Sequence, residues 1–405
     1  MHPRAAFLLL TALTVVGARA WPERFRFQYQ DGEKYRLLTE VQEKVYVDGR
    51  LSHRAEILNK IAVSTLEVRD GAGRLDCTFQ TSERAVGTDN SFAFTEDYQS
   101  LFWRDARGRY EIGPQYFMPV VRGVPLFPEK EVSPGDSWSA PGEEAHDLRR
   151  SYGLSSPVRF PIQVQYTYVG PEEREGRKLE RIGIRYTVFH RLESLGLRST
   201  DRPAPVRITG ESEQTFWWDS LRGQPDSYAE TFDFLFYLSN GQVVEYVGEA
   251  QGRFVESQPL DRAKVTAEIQ RELADRGVPD TTVRSEEQGV TLSLQNIQFQ
   301  PNSSILMPSE QAKLRSIAAI LAKYADRDLL VGGHTARVGG YTDTQHQELS
   351  EMRAGAVADF LLSLGVIREE QVTTRGFGYS RPLGDNATEQ GRSINRRVEI
   401  TILEN

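Results

Sequence analysis

Residues 329–365 read LLVGGHTARVGGYTDTQHQELSEMRAGAVADFLLSLG, and this stretch decides the fold of the C-terminal part of the chain. Its first five residues form a short apolar run of the kind that builds a buried strand. From residue 345 to residue 364 the apolar residues recur at helical spacing, and Gly365 follows as a helix C-cap. A strand followed by an amphipathic helix predicts an α/β unit.

The same alternation of strands and helices continues on both sides of this stretch. Upstream, the pattern predicts a strand over residues 290–299 and a helix over residues 309–324. Downstream, it predicts strands over residues 371–376 and 397–403, with a helical turn over residues 389–393 between them. We therefore expect residues 289–405 to form an α/β sandwich with helices on one face of a mixed sheet.

Residues 21–259 have a different texture, in which polar and apolar residues alternate over short runs. Turn signals such as Asp48-Gly49, Asp70-Gly71 and Asn240-Gly241 separate these runs. Alternation with a period of two, broken by such turns, predicts antiparallel strands joined by hairpins. We expect a β-rich antiparallel region, formed as one unit or as two subdomains.

Two segments interrupt this pattern. Residues 124–152 are rich in proline, glycine and charge, which predicts a long loop or a boundary between subdomains. Residues 260–288 are predicted to be a connecting helix and strand, because Val265, Ile269 and Leu273 recur every four residues and Gly277 follows as a C-cap. This helix is either a connector or the first element of the C-terminal domain. The predicted fold class is multidomain α+β.

The first twenty residues predict the compartment. Arg4 precedes an apolar run that is too short to span a bilayer, and Ala18 and Ala20 form the small-residue pattern of a cleavage site. We expect residues 1–20 to be a cleaved signal peptide and the mature chain to begin at Trp21 in the periplasm. Cys77 is the only cysteine and lies far from that site, so we expect no lipid anchor.

Composition excludes several classes of partner. The chain has a formal net charge of −8, and this acidic balance argues against nucleic acid and anionic lipid headgroups. No segment after the signal has an apolar run long enough to span a membrane. Cys77 is expected to be a small buried hydrophobic residue, and the tryptophans of the β-rich region are expected to lie mainly in the core.

Five ordered blocks of residues carry a resemblance to a known family. They are Phe299-Gln300-Pro301-Asn302-Ser303-Ser304-Ile305-Leu306, Gly333-His334-Thr335, Leu349-Ser350-x-x-Arg353-Ala354, Gly376-Phe377-Gly378 with Arg381-Pro382, and Gly391-Arg392-x-x-Asn395-Arg396-Arg397-Val398-Glu399. In order and spacing they resemble OmpA-like peptidoglycan-binding domains. The resemblance covers less than a third of the chain and leaves residues 21–259 unexplained.

The resemblance implies a clamp for the diamino-acid end of the peptidoglycan stem peptide. In such domains an arginine takes the ligand carboxylate and an aspartate takes its ammonium group. The arginine corresponds to Arg353, which lies on the apolar stripe of its helix with Leu349 and Val357. The alternative for Arg353 is a structural ion pair with a neighbouring acid.

The aspartate of the clamp is replaced, because the motif Gly-His-Thr-Asp reads Gly333-His334-Thr335-Ala336 here. The alanine side chain accepts no hydrogen bond, so peptidoglycan binding is expected to be weakened. The following loop is longer than in the family pattern and contains Asp343, which could supply a carboxylate from a different backbone position. The alternative for Asp343 is a solvated turn residue.

The other candidate ligand-binding residues are Asn302, Thr335 and Asn395. Asn302 follows the first strand of the domain and either contacts the peptide or holds a tight turn. Asn395 is expected to fix the loop beside the site, while Arg396 and Arg397 are interpreted as surface charges. His334 lacks a second metal-binding residue at ligand spacing, so we predict no metal site and no cofactor.

The sequence lacks the motifs of the common hydrolases, metalloproteases and nucleotide-binding enzymes. We therefore predict a secreted, non-enzymatic envelope protein that docks non-covalently on peptidoglycan. The alternative is an envelope scaffold or interaction protein whose OmpA-like domain no longer binds peptidoglycan, with a β-rich region that binds an unknown protein or an apolar ligand.

Overall fold

The computed structural model describes residues 22–86, 91–148, 152, 157–192, 203–257, 259–295, 297–300 and 303–404. The predicted signal peptide, residues 1–20, lies outside these ranges. The protein is β-rich, with 52% strand and 18% helix. In the part of the chain that the structure describes, no helix is both long enough and apolar enough to cross a membrane.

Twelve strands are described before residue 257. They are β1 (Lys34–Val47), β2 (Arg50–Arg69), β3 (Ala72–Ala85), β4 (Phe92–Arg104), β5 (Tyr110–Ile112), β6 (Val121–Arg122), β7 (Ser137–His146), β8 (Val158–Arg174), β9 (Arg177–Arg191), β10 (Pro205–Asp219), β11 (Gln224–Leu238) and β12 (Val243–Glu256). They pair in the order β6-β7-β8-β9-β10-β11-β12-β1-β2-β3-β4-β5, and every neighbouring pair is antiparallel. The predicted antiparallel hairpins are therefore confirmed.

The turn signals of the sequence match the backbone of the hairpins. At the β1–β2 turn, Asp48 and Gly49 have φ angles of 50° and 73°. At the β2–β3 turn, Asp70 and Gly71 have φ angles of 52° and 76°. A two-residue turn with positive φ at both positions matches the twist of the flanking strands, which is why Asp-Gly is favoured there.

The prediction of a loop over the whole of residues 124–152 is wrong, because strand β7 lies inside this segment. Pro141 and Gly142 suggested a break in regular structure. Strand β6 pairs only with Glu143 and Glu144, so at Pro141 strand β7 has a single described neighbour, β8. Proline is tolerated where one side of a strand is unpaired, since its missing N–H is not required there.

The described residues of the β-rich region form two separate apolar clusters. The larger one is built from aromatic residues such as Phe127 and Trp218, together with aliphatic residues of strands β8 and β9. The smaller one is centred on Leu75, Cys77 and Phe102. Cys77 is buried as expected, and burial raises the pKa of its thiol to about 12.

The C-terminal part of the chain contains four helices and five strands among its described residues. They are α1 (Arg262–Asp275), β13 (Thr281–Glu286), β14 (Gly289–Gln295), α2 (Pro308–Leu321), β15 (Leu329–Gly333), α3 (Asp343–Ser363), β16 (Val372–Gly376), α4 (Glu389–Asn395) and β17 (Arg397–Leu403). Short 3₁₀ turns lie at Ala322–Tyr324 and Glu369–Gln371.

These strands form a mixed sheet in the order β13-β14-β17-β15-β16, in which only β15 and β16 are parallel to each other. One face packs against the helices through residues such as Val398, Ile400 and Ile402, none of which is exposed. Val265, Ile269 and Leu273 of α1 belong to the same core. The predicted strands and helices of this part are thus present, and α1 packs as part of the C-terminal core.

The two parts of the chain also contact each other directly, which the sequence did not predict. Strand β4 pairs in parallel with β16, at Phe92–Thr373 and Ala93–Thr374. Asp328 forms buried ion pairs with Arg36 and with Lys60, whose Nζ lies 3.0 Å from Asp328 Oδ2. The β-rich region and the C-terminal domain therefore share a continuous sheet and a buried charged contact.

Candidate functional site

Two motif glycines allow α3 to pack closely on the sheet. A Cβ at Gly333 would lie 1.9 Å from the carbonyl oxygen of Ser350, and a Cβ at Gly376 would lie 2.6 Å from Ser350 Oγ. Neither position leaves room for a larger residue. The Ser350 hydroxyl also accepts a hydrogen bond from the backbone N–H of Gly378, at 2.9 Å. These contacts therefore fix the position of α3 and of Arg353 upon it.

The start of α3 is fixed by a capping box. Thr342 Oγ1 accepts a hydrogen bond from the N–H of Gln345, and Gln345 Oε1 accepts one from the N–H of Thr342. Such reciprocal bonds satisfy two N–H groups that would otherwise lack partners. The helix consequently begins at Asp343, two residues earlier than the sequence predicted.

Arg353 is half-buried on α3 and has no carboxylate partner among the residues that the structure describes. Its guanidinium carbon lies 5.0 Å from the ring centroid of Phe299, and its Nε is enclosed without a hydrogen-bond partner. Within the described ranges no acid forms an ion pair with it. Burial lowers the pKa of the guanidinium, and the charge of Arg396 lowers it further.

Arg396 differs from Arg353 because it does have a partner. Its Nη2 lies 2.6 Å from Glu389 Oε1, and Arg392 also contacts Glu389. Arg353 and Arg396 are close enough for their charges to interact, and Tyr341 is a further polar neighbour of Arg353. The site therefore carries an excess of positive charge where the guanidinium of Arg353 lies.

Thr335 is buried and engaged with the protein itself. Its hydroxyl shares a hydrogen bond of 3.1 Å with His346 Nδ1, and its backbone N–H donates to the carbonyl of Gly378 at 2.8 Å. His346 packs in turn against the rings of Tyr341 and Tyr379. Thr335 thus anchors the loop after β15 to the start of α3.

The structure does not bring Asp343 close to Arg353. Both lie on α3, ten residues apart, which corresponds to a rise of roughly 15 Å along a helix. The exposed Asp343 carboxylate accepts a hydrogen bond of 2.6 Å from the hydroxyl of Tyr379. Ala336, which occupies the position of the motif aspartate, is only 3% exposed. Asp343 is therefore a partner of Tyr379 at the start of α3, away from Arg353.

Asn395 has no remaining hydrogen-bonding capacity for a ligand. Its Oδ1 accepts from the N–H groups of Leu383 and Gly384, and its Nδ2 donates to the carbonyl of Gly384 and to Asn386 Oδ1. A side-chain amide has two donors and two acceptor sites, so all four are used. Asn395 positions the loop before β17. Asn302 lies outside the described residues.

A second cluster of charge lies on the face of the sheet away from the helices. Side chains alternate along a strand, so Arg397, Glu399 and Thr401 lie opposite the apolar residues of β17. Glu399 Oε1 lies 2.6 Å from both Arg397 Nε and Arg284 Nη2. Arg397 is only 2% exposed, so its interpretation as a surface charge is wrong. Its partner Glu399 lies two positions further along the strand and points to the same face.

His334 belongs to this cluster. Its Nε2 lies 3.3 Å from Glu399 Oε2, and its ring stacks on Phe377 at 4.9 Å. Burial lowers the pKa of His334. Burial raises the pKa of Glu399, but hydrogen bonds from His334 and Arg284 and the charge of Arg397 outweigh it and hold this pKa well below its usual range. In the described part of the chain no group of three metal-binding side chains is present.

The match to a known family falls on this part of the chain. Residues 298–396 match the model of the OmpA family. They form an OmpA family domain. The match includes Arg353, Ala336 and the glycines that seat α3, and it leaves the β-rich region unmatched.

Named relatives align with about a quarter of the chain. Outer membrane porin F of Pseudomonas aeruginosa is 38% identical over 107 residues, which cover 26% of this chain and 30% of the relative. Putative lipoprotein YfiB of Escherichia coli is 37% identical over 106 residues, covering 26% and 65%. Peptidoglycan-binding protein ArfA of Mycobacterium bovis is 34% identical over 106 residues, covering 26% and 32%.

The alignment spans about a third of the length of relatives such as the two porin F proteins, 32% and 30%. Among solved structures, the cell wall anchor of the T6SS from Pseudomonas aeruginosa is 28% identical, with a TM-score of 0.30. That alignment covers 33% of this chain and 96% of the other.

Proposed function

We propose that the protein is a non-enzymatic envelope protein whose OmpA domain binds peptidoglycan by holding a free carboxylate of the stem peptide with Arg353. The observation that carries this proposal is the half-buried guanidinium of Arg353, which has no carboxylate partner among the described residues. A cation removed from water is costly unless an anion compensates it. A ligand carboxylate would supply that anion in a two-pronged, charge-assisted hydrogen bond.

The name of one relative supports the same ligand. ArfA of Mycobacterium bovis is named as a peptidoglycan-binding protein, and it is 34% identical to this chain over 106 residues. The predicted signal peptide of residues 1–20 would deliver the protein to the periplasm, where peptidoglycan is accessible. N-terminal sequencing of the envelope form tests this delivery, and a chain that retains Met1 would contradict it.

Ala336 sets the expected strength of binding. A clamp that grips both ends of a diamino acid needs a carboxylate for the ammonium group, and the buried Ala336 side chain provides none. The carboxylate of Asp343 is held by Tyr379 at the far end of α3. A lost charge-assisted hydrogen bond weakens binding by about 1.5–3 kcal/mol, or roughly 10- to 150-fold. We therefore infer a weak clamp that recognises the carboxylate alone.

The second candidate function is an envelope scaffold that has kept the OmpA fold and lost peptidoglycan binding. The observation that favours it is the same substitution at Ala336, together with the use of Thr335 and Asn395 in hydrogen bonds within the domain. In this case Arg353 would bind no stem peptide.

Co-sedimentation of the purified chain, residues 21–405, with insoluble peptidoglycan sacculi separates the two functions. We expect wild type to sediment, Arg353→Ala to remain in the supernatant, and Ala336→Asp to bind more tightly by roughly 10-fold or more, since it restores an ammonium partner. Arg315→Ala is the matched control, because Arg315 is an exposed arginine of α2 in the same domain. It should sediment like wild type.

Thermal melting of the same variants shows whether each variant is still folded. If Arg353 binds only ligand, Arg353→Ala melts at the wild-type temperature. Wild-type protein that never sediments, whatever the melting temperature of Arg353→Ala, would overturn the peptidoglycan proposal and leave the scaffold function.

A further inference from the structure

A cavity of about 230 Å³ lies inside the β-rich region, between its two apolar clusters. One wall comes from strands β1 to β5, with residues such as Ile61, Leu75 and Phe102. The opposite wall comes from β10 to β12, with residues such as Phe216 and Phe254. Protein interiors are normally filled to the density of organic crystals, so two sheet faces that leave such a space between them define a pocket.

Among the described residues, the lining contains one cation, Arg104. Its Nε donates a hydrogen bond to the hydroxyl of Tyr29 at 2.8 Å, and its Nη2 donates to the hydroxyl of Tyr35 at 3.1 Å. The guanidinium carbon also lies 4.0 Å from the ring centroid of Phe27. These contacts hold the planar group in one orientation at the wall of the cavity.

Nothing in the described residues neutralises this cation. Arg104 forms no ion pair there, and its Nη1 has no hydrogen-bond partner there. Burial raises the pKa values of Tyr29 and Tyr35, so both phenols stay neutral and act only as acceptors. The acid that also lines the cavity, Glu230, accepts hydrogen bonds from Ser212 at 2.7 Å and Gln214 at 3.1 Å instead.

The combination of an apolar wall and a single oriented guanidinium specifies the chemistry of a ligand. The walls favour a hydrocarbon, because contact between an apolar ligand and an apolar wall releases water from both surfaces. The free Nη1 favours an anion, and a guanidinium fork matches a carboxylate. A neutral hydrocarbon would leave Arg104 uncompensated, and a small anion without a chain would leave the apolar walls unfilled.

We propose that this cavity binds an amphipathic anion of the fatty-acid class, with the hydrocarbon chain between the two apolar clusters and the carboxylate on Arg104. This site is separate from the OmpA domain and does not depend on peptidoglycan binding. It gives the β-rich region a ligand of defined chemistry, and the family match, at residues 298–396, lies outside this region.

Calorimetric titration of the purified chain with a matched set of probes tests the proposal. Decanoate carries both the chain and the charge, decanol carries only the chain, and acetate carries only the charge. We expect decanoate to bind with one-to-one stoichiometry and at least tenfold more tightly than decanol. Acetate should not bind measurably at this site. Equal affinity for decanoate and decanol, or no binding of decanoate, would overturn the proposal.

Two variants assign the binding to this cavity. Arg104→Gln keeps a hydrogen-bond donor and removes the charge, so it should lower the affinity for decanoate at least tenfold and leave that for decanol unchanged. Ile61→Trp adds bulk to the apolar wall and should weaken both ligands. Arg69→Gln is the matched control, because Arg69 is exposed on strand β2 and stacks on Trp103, the residue before Arg104 in β4.

The second variant also covers a failure of the first to fold. If Arg104→Gln does not give a wild-type melting transition, Ile61→Trp decides whether the ligand occupies the cavity. Wild-type affinity for decanoate in a folded Ile61→Trp protein would place the ligand elsewhere and overturn the proposal. If Arg69→Gln lost as much affinity for decanoate as Arg104→Gln, the effect would come from general surface charge. This result would overturn the proposal as well.

Discussion

The OmpA domain and the β-rich region each contain an arginine that has no carboxylate partner among the described residues, but the surroundings of the two arginines differ. Arg353 lies on a helix at the edge of a filled core and is half-buried beside Phe299. Arg104 lies at the wall of an apolar cavity and is fixed by two tyrosine hydroxyls. The first suits a peptide carboxylate that arrives from solvent. The second suits a carboxylate attached to an apolar chain.

The two sites also differ in how much of each can be predicted from a local sequence pattern. The site of Arg353 is built from short sequence blocks. Their glycines and capping residues are needed for the local structure, so the blocks can be recognised in the sequence. The site of Arg104 draws its lining from nine strands and from segments outside them, with one to three residues from each strand. Such a site leaves no contiguous motif in the sequence.

The largest expected effect concerns the contact that joins the two regions. Asp328 is 5% exposed and pairs with Arg36 and Lys60, which are 8% and 6% exposed. Asp328→Asn leaves two buried cations without an anion and should lower the free energy of unfolding by about 3–5 kcal/mol. Urea denaturation of the chain, followed by tryptophan fluorescence, measures this change.

Glu256→Gln is the control for that experiment. Its side chain is 73% exposed and pairs with Arg222, so its loss should cost no more than about 1 kcal/mol. An Asp328→Asn protein as stable as the Glu256→Gln control would mean that the contact between the regions does not stabilise either one. The comparison between the regions would then be one between independent domains.

A smaller effect is expected from the packing that orients Arg353. Gly333→Ala places a methyl group 1.9 Å from the carbonyl oxygen of Ser350, so α3 must move away from β15. Overpacking of this kind costs about 1–3 kcal/mol. It should also lower sacculus binding while decanoate binding in the β-rich region stays at the wild-type level.

Gly339→Ala provides the matched control in the same domain. A Cβ at Gly339 has nothing within 4 Å, and its φ angle is not in the left-handed region. This variant should match wild type in melting and in both binding assays. If Gly333→Ala also melted like wild type, the close approach of α3 to the sheet would not be what positions Arg353.

Much of the fold follows from the sequence, because its decisive signals are local. The helix that carries Arg353 begins within two residues of its predicted start, and the strand Leu329–Gly333 has its predicted bounds. The turns at Asp48-Gly49 and Asp70-Gly71 also lie where the dipeptides predict them. In each case neighbouring residues supply the reason, through helical spacing, a C-cap or a positive φ angle.

The features that escape sequence analysis are those that depend on distant partners. Asp328 is paired with residues nearly 300 positions away, and the parallel pairing of β4 with β16 crosses a similar distance. The burial of Arg397 could not be predicted, because it depends on which residues cover the second face of the sheet. The sequence does place Arg397 and Glu399 on one face of β17, because side chains alternate along a strand. Their pairing could have been predicted from this alternation.

The smallest expected effect is a difference in pH dependence between a histidine of each region. His334 is 2% exposed and is flanked by Glu399, Arg397 and Arg381, and its pKa is lowered mainly by burial. His190 is only half-buried and stacks on Phe160, and burial lowers its pKa as well. In the unfolded chain a histidine takes up a proton near pH 6.5. A folded-state pKa below that value means that the unfolded chain binds more protons, so stability is lost as the pH falls below about 6.5.

Glu399 acts in the same direction in a lower window, because its depressed pKa contributes stability that is present above about pH 4.5 and lost as the pH falls further. We therefore expect the two histidines to lower the melting temperature between pH 7.5 and pH 5.5, where Glu399 stays ionised, against the opposite contribution of Glu43, whose pKa burial raises to about 7. His334→Gln should flatten this fall more than His190→Gln, since His334 is the more deeply buried of the two. Calorimetric melting of the three proteins across this range decides the point. Parallel profiles for wild type and His334→Gln would show that the cluster around Glu399 does not depend on a neutral histidine.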